Sequence, residues 1–99
     1  MNHQEKIWSV ISHIPKGKVC SYGGVASRAG LPGYARYVGY TLKHLPPKSS
    51  LPWYRVINSK GYISFRVGTE KYRIQKSRLE QEGIIFSDAK ISLKEYGWI

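Results

Sequence analysis

The chain has 99 residues, with 16 Lys and Arg against 6 Asp and Glu and a formal net charge of +10, so it is long enough for one domain and too short for two. Its 41% hydrophobic residues exclude extended disorder, and a single cysteine, Cys20, excludes an internal disulfide framework and fits a reducing cytosol. No run reaches the roughly 18 apolar residues of a membrane span, Met1-Asn2-His3-Gln4-Glu5 lacks the layout of a signal peptide, and His3, His13 and His44 show no zinc-ligand spacing.

Ile7, Val10, Ile11 and Ile14 recur at helical spacing before Pro15, which predicts a first helix over 4–14. Ser21 stands as an N-cap for a second helix over about 22–29, whose inward face is Val25, Ala26 and Ala29 and whose stop is Gly30. After the turn Gly30-Leu31-Pro32-Gly33, a third periodic stretch places Ala35, Val38, Leu42 and Leu45 on one face, with Arg36 and Lys43 on the other, and ends at Pro46-Pro47. Two short helices joined by a glycine-containing turn read as a helix-turn-helix. Val56-Ile57 and Tyr62-Ile63-Ser64-Phe65 flank Asn58-Ser59-Lys60-Gly61 and predict a small β-hairpin. Thr69 is the expected cap of a last main helix over about 70–82, with Tyr72, Ile74 and Leu79 inward and Gly83 as its stop. Ser92 and Glu95 suit a terminal capping box that returns Tyr96 and Trp98 to the core. The expected fold is therefore mainly α, a winged-helix-like helix-turn-helix domain with a small β-hairpin, and it spans 1–99 as one mature unit.

A charge of +10 on so small a body attracts polyanions, and eight Tyr with three Trp supply phosphate hydrogen bonds and stacking faces. Nucleic acid is the partner this combination favours. A basic protein with no such partner is the alternative.

Four blocks carry a more specific signal: Gly17-Lys18-Val19, Ser21-Tyr22, Ala35-Arg36-Tyr37-Val38-Gly39 and Pro52-Trp53-Tyr54-Arg55-Val56. In order and spacing they closely resemble the C-terminal domain of O6-alkylguanine-DNA alkyltransferases, and Glu82-Gly83 extends the resemblance over roughly residues 4 to 86. Active members of that family read Pro-Cys-His-Arg-Val, where the cysteine takes the alkyl group and the histidine helps form its thiolate. Here Trp53 and Tyr54 replace both, a departure that resembles the alkyltransferase-like proteins, which bind the same lesions without repairing them and pass them to nucleotide-excision repair. The chemistry agrees. An indole has no ionisable group, a phenol with a pKa of about 10 is a poor nucleophile at neutral pH, and no histidine lies in this loop to activate it. The remaining thiol, Cys20, reads as a small buried hydrophobe.

The resemblance implies roles for individual residues. Arg36 matches the arginine finger that fills the gap left by a flipped base, and Tyr22 the tyrosine that crowds the adjacent phosphate. Taken alone, they would read as a solvated helix cation and a half-buried helix residue. Gly33, Ala35 and Gly39 would let the third helix approach the minor groove, where readout is degenerate and suits a search for damage. Lys43 and Ser59 match positions near the backbone, and Tyr40 and Lys60 extend the basic surface. Leu42, Trp53, Tyr54, Val56 and Arg66 form the implied lesion pocket, with Trp53 as a stacking floor and Arg66 as a donor to the damaged guanine. Leu45 replaces an asparagine that braces the loop in active enzymes. Taken together, these readings imply a sensor of O6-alkylguanine in double-stranded DNA with no catalytic residue, no metal and no cofactor. Its partners would be damaged DNA and nucleotide-excision repair proteins, with no membrane. A monomer is expected, in the cytoplasm, or with the nucleoid in a bacterium. Two alternatives stay open at this point: an active alkyltransferase using another residue, and a helix-turn-helix transcription regulator.

Overall fold

A computed structural model describes residues 1–98. Helix α1, His3–Ser12, begins at a reciprocal capping box: the Asn2 side chain accepts from the Glu5 N–H at 2.7 Å and Glu5 accepts from the Asn2 N–H at 3.1 Å. It buries Ile7 and Ile11, and Ile14 continues that face beyond the helix end. Ser21 caps α2, Tyr22–Arg28, by accepting from the Gly24 N–H at 2.9 Å. Gly30 at φ +77° ends that segment and Gly33 at φ +88° shapes the turn into α3, Ala35–Lys43. Helices α2 and α3 pack on each other and on α1 around Val25, Ala26, Val38, Ile7 and Ile11, which form the first core. The expected helix-turn-helix is present, and Cys20 lies buried in it.

The middle of the chain departs from expectation. Val56–Ile57 forms a strand, but it pairs in parallel with Cys20–Ser21, not with 62–65. These are β2 and β1. The reason is local. The Asn58 carboxamide oxygen accepts from the N–H groups of Lys60 (2.9 Å) and Tyr62 (3.0 Å) and the Asn58 N–H donates to the Tyr62 carbonyl (3.0 Å), but the Gly61 carbonyl is taken by the Ile91 N–H at 2.8 Å and the pairing goes no further along the expected second arm. Gly61 is itself at φ +94° and buried, with the Ile91 carbonyl where a Cβ would stand.

The hairpin of this fold lies elsewhere, after α4. Helix α4, Glu70–Gln81, is capped by Thr69, which accepts from the Tyr72 N–H at 3.3 Å. Its inward face is Tyr72, Gln75 and Leu79, at steps of three and four; Ile74 points outward at 38% exposed, because it sits about 200° around the helix from Tyr72. Strands β3 (Phe86–Ser87) and β4 (Lys90–Ile91) then pair antiparallel around Asp88-Ala89, both with positive φ. Ser92 caps the short α5, Leu93–Tyr96, and the chain returns to the core where Val19 donates to the Tyr96 carbonyl (2.9 Å) and accepts from the Trp98 N–H (2.8 Å). Val19, Ile57, Leu79, Ile84 and Ile91 make a second core, so the β1–β2 pair stands between the helix-turn-helix and the α4 half.

Candidate nucleic-acid interface

Charge is distributed unevenly along this fold. Residues 6–69 contain ten Lys and Arg and no Asp or Glu, whereas residues 70–99 hold six of one and five of the other. The helix-turn-helix and the segment up to the start of α4 therefore carry the whole positive field.

On α3, Arg36, Gly39 and Lys43 recur at steps of three and four and share one side, with Arg36 and Lys43 exposed and Val38 and Thr41 buried behind them. Gly39 leaves this side bare at its centre. A Cβ built there would lie 3.8 Å from the Tyr22 ring, an ordinary contact, so the structure brings Tyr22 of α2 against the α3 backbone beside the cations. Tyr22 is half-buried and packs on the first core. Ser59 and Lys60 are exposed on the separate Asn58 turn.

Trp53 and Tyr54 sit on a one-turn 3-10 helix, Trp53–Arg55, immediately before β2. Trp53 is half-buried, and its ring meets Tyr54 (centroids 5.9 Å) and Phe65 (6.3 Å) edge to face. Lys71 Nζ lies 5.6 Å from the Phe65 ring. Arg66 is exposed in the loop after Phe65, and its carbonyl accepts from the Thr69 hydroxyl at 2.7 Å. Leu42, half-buried, packs on the first core. Val56 is 1% exposed inside that core and offers no wall to a ligand, which corrects its place in the expected pocket: its strand register with Cys20 turns it inward.

Tyr54 differs from expectation in a second way, since its hydroxyl is already engaged. It donates to Glu82 at 3.0 Å, and its ring lies between the Arg55 and Arg78 guanidinium groups at 5.5 and 5.4 Å. Arg55 grips the same carboxylate with Nε (3.0 Å) and Nη2 (2.6 Å) and donates from Nη1 to the Ile14 carbonyl (2.8 Å), while the Gly17 N–H adds 2.9 Å. Burial by itself would raise the Glu82 pKa, but the Arg55, Gly17 and Tyr54 donors outweigh it and hold the carboxyl below its usual value. For Tyr54 the shift is upward, from burial first and then from its bond to Glu82, so the phenol is a weaker nucleophile than a free tyrosine. Cys20 is also raised, by burial, against a smaller opposing effect of Arg28. Neither group is activated. A cleft lined by Lys16, Tyr54, Arg78, Gln81 and Glu82 includes neither Trp53 nor Arg66.

Gln75 completes the support. It is 2% exposed, and its Nε2 donates to the carbonyls of Tyr54 and Val56, both at 3.0 Å. The Trp53 turn is held by Gln75 from behind and by the Arg55–Glu82 pair at its end. Neither Gln75 nor Phe65 emerged from sequence reasoning. A glutamine on the inward face of α4, in step with Tyr72 and Leu79, was the available signal for the first. Among the described residues no cluster of His, Cys, Asp and Glu is arranged to hold a metal, and no helix is long and apolar enough to cross a membrane.

Comparison with known proteins converges on one group. The family model for the 6-O-methylguanine DNA methyltransferase, DNA binding domain, matches residues 2–84. A DNA base-flipping protein of Vibrio parahaemolyticus is 54% identical over 94 residues, 94% of this chain and 92% of the relative. Alkyltransferase-like protein 1 of Schizosaccharomyces pombe is 44% identical over 98 residues, 94% of this chain and 91% of that one. The crystal structure of S. pombe Atl1 with damaged DNA containing O6-carboxymethylguanine superposes with a TM-score of 0.89 at 42% identity, covering 98% of this chain and 94% of the other. The Mycobacterium tuberculosis OGT structure in complex with DNA gives 0.72 at 33% identity, over 83% of this chain and 50% of that one.

Proposed function

The chain belongs to the family of the 6-O-methylguanine DNA methyltransferase DNA-binding domain, and from this membership we propose that it is a non-enzymatic sensor of O6-alkylguanine in duplex DNA. Helix α3 enters the minor groove, Arg36 takes the place of the extruded base, and Tyr22, packed at Gly39, crowds the neighbouring phosphate. The flipped guanine rests on Trp53, with Phe65 behind that ring and Arg66 free in the adjoining loop to donate to O6 or N7. Stacking on an aromatic contributes about 1–3 kcal/mol, which offsets part of the few kcal/mol needed to unstack a nucleotide. O6-alkylation removes the guanine N1 proton and lowers that cost further.

The observation that carries the reading is the Pro52-Trp53-Tyr54-Arg55-Val56 turn. An indole stands where the transferases hold their acceptor thiol, and the turn is fixed by Gln75 and Glu82 with no activated nucleophile in it. The alkyl group therefore stays on the DNA. The protein acts as a monomer, in the cytoplasm or on the nucleoid, and the bound, distorted site is handed to nucleotide-excision repair.

The test compares matched duplexes carrying guanine or O6-methylguanine. Tighter binding to the lesion is expected, with the methyl group still on the DNA after long incubation. Stoichiometric methyl loss, with a matching mass gain on the protein, would overturn the non-enzymatic reading, and equal affinity for the two duplexes would overturn the sensor reading.

A further inference from the structure

One side of α3 carries a run of rings that the flipping machinery does not use. His3, at the start of α1, meets Tyr34 (centroids 5.4 Å) and Tyr37 (6.4 Å) edge to face. Tyr34 meets Tyr37 at 6.2 Å, Tyr37 stacks on Tyr40 at 6.0 Å with 15° between planes, and Tyr40 leans on His44 at 4.4 Å. Tyr34 is 42% exposed and Tyr40 57%, and both histidines are exposed. Scattered exposed aromatics are ordinary on a protein surface, whereas five in continuous contact form a patch.

Position and charge identify what the patch meets. At 100° per residue, Tyr40 lies about 40–60° around α3 from Arg36 and Lys43, so the ladder borders the cationic side of that helix. The sequence from 6 to 69 holds no carboxylate, and Glu5, near His3, is tied into the α1 capping box, so the occupant is anionic while still offering apolar faces to the rings. A DNA strand does both: its deoxyriboses present apolar faces and its phosphates accept from phenol hydroxyls. A second copy of this chain would bring the same acid-free, +10 surface and be repelled.

We propose that the His3–Tyr34–Tyr37–Tyr40–His44 ladder is a further DNA-binding element, which packs against the sugar–phosphate backbone of one strand beside the flipped nucleotide. The ten steps from Tyr34 to His44 rise about 15 Å, the axial length of about four nucleotides. The ladder lengthens the footprint to one side and takes no part in recognising the lesion. This rests on the assignment of α3 to DNA, and the experiment separates the two.

Tyr40→Ala and the double variant Tyr34→Ala/Tyr40→Ala, both at exposed positions, are measured against long duplexes and against duplexes trimmed progressively on each side of the lesion. Roughly tenfold weaker binding is expected for the double variant on long DNA. The loss should be equal for lesion and undamaged duplexes and should vanish once one flank, and only one, is cut below about four base pairs. The salt slope should stay at its wild-type value, because no cation is removed, and Tyr40→Phe, which keeps the ring and gives up only the hydroxyl bond to phosphate, should lose less than Tyr40→Ala. Binding within twofold of wild type on long DNA, an equal loss in Tyr40→Phe and Tyr40→Ala, or a change in self-association by sedimentation would overturn the proposal. If the wild-type protein fails to prefer O6-methylguanine, the sensor reading falls, while the ladder is still judged on undamaged DNA.

Discussion

Gly39 separates two demands on one position. Its Cβ space is open to 3.8 Å from Tyr22, so Gly39→Ala fits the fold, and alanine is favoured over glycine inside a helix by about 1 kcal/mol. The variant is therefore expected to be more stable by about 0.5–1 kcal/mol in denaturant titrations and yet to bind duplex DNA more weakly, because the added methyl stands on the side of α3 that the proposed function turns toward the groove. Unchanged binding would show that α3 does not come so close. Glu82 is read through pH. Its carboxyl is held below its ordinary value, so the stability supplied by its ionised form is present above about pH 4.5 and is lost as pH falls through the folded-state value. Glu82→Gln leaves Arg55, 14% exposed, without its counter-charge and is expected to cost about 2–3 kcal/mol at pH 7. The gap between variant and wild type should narrow from pH 5 to pH 3, as measured by urea unfolding at each pH. A gap independent of pH would mean that the carboxylate's charge is not what fixes the turn.

At the scale of elements, the Asp88-Ala89 hairpin holds the clearest strain. A two-residue connection of this kind places both central residues at positive φ, and alanine at φ 65° bears the Cβ penalty that glycine avoids. Ala89→Gly is expected to raise stability by about 0.5–1 kcal/mol, read from the denaturation midpoint at unchanged slope. The same pair of residues explains why this hairpin escaped sequence reasoning while another was expected and is absent. Asp-Ala lacks the glycine that marks such turns, whereas Asn58-Ser59-Lys60-Gly61 has the chemistry of a turn but spends it on Asn58's own side chain. Helices fared better because their caps are local: Ser21, Thr69 and Ser92 all accept the bonds expected of them. The helix-turn-helix, and the exposed place of Arg36 on its second helix, were legible in the residues. What holds the Trp53 turn was not legible. Gln75, Glu82 and Phe65 act on it across 12 to 28 positions of sequence, and no periodicity records a contact of that range.

For the whole molecule, the decisive asymmetry is that 6–69 carries ten cations and no anion, while the remainder is close to neutral. Phosphate contacts made by this half release counterions, so affinity for any duplex should fall by about tenfold or more between 50 and 200 mM salt. Binding titrations across that range check it, and a flat dependence would show the charge to be incidental. The relative gain from a lesion should change far less with salt, since Trp53 is uncharged and stacking is not screened.

The Arg55–Glu82 clamp gives this asymmetry a temporal side. A chain made from its N-terminus completes the whole cationic stretch before any residue of α4 exists, and the partner of Arg55 is made 27 positions later, so the clamp closes only then. Until then Arg55 has no carboxylate to hold and the Trp53 turn has neither of its supports, since Gln75 also arrives late. A growing chain thus acquires its cations first and a fixed Trp53 turn last.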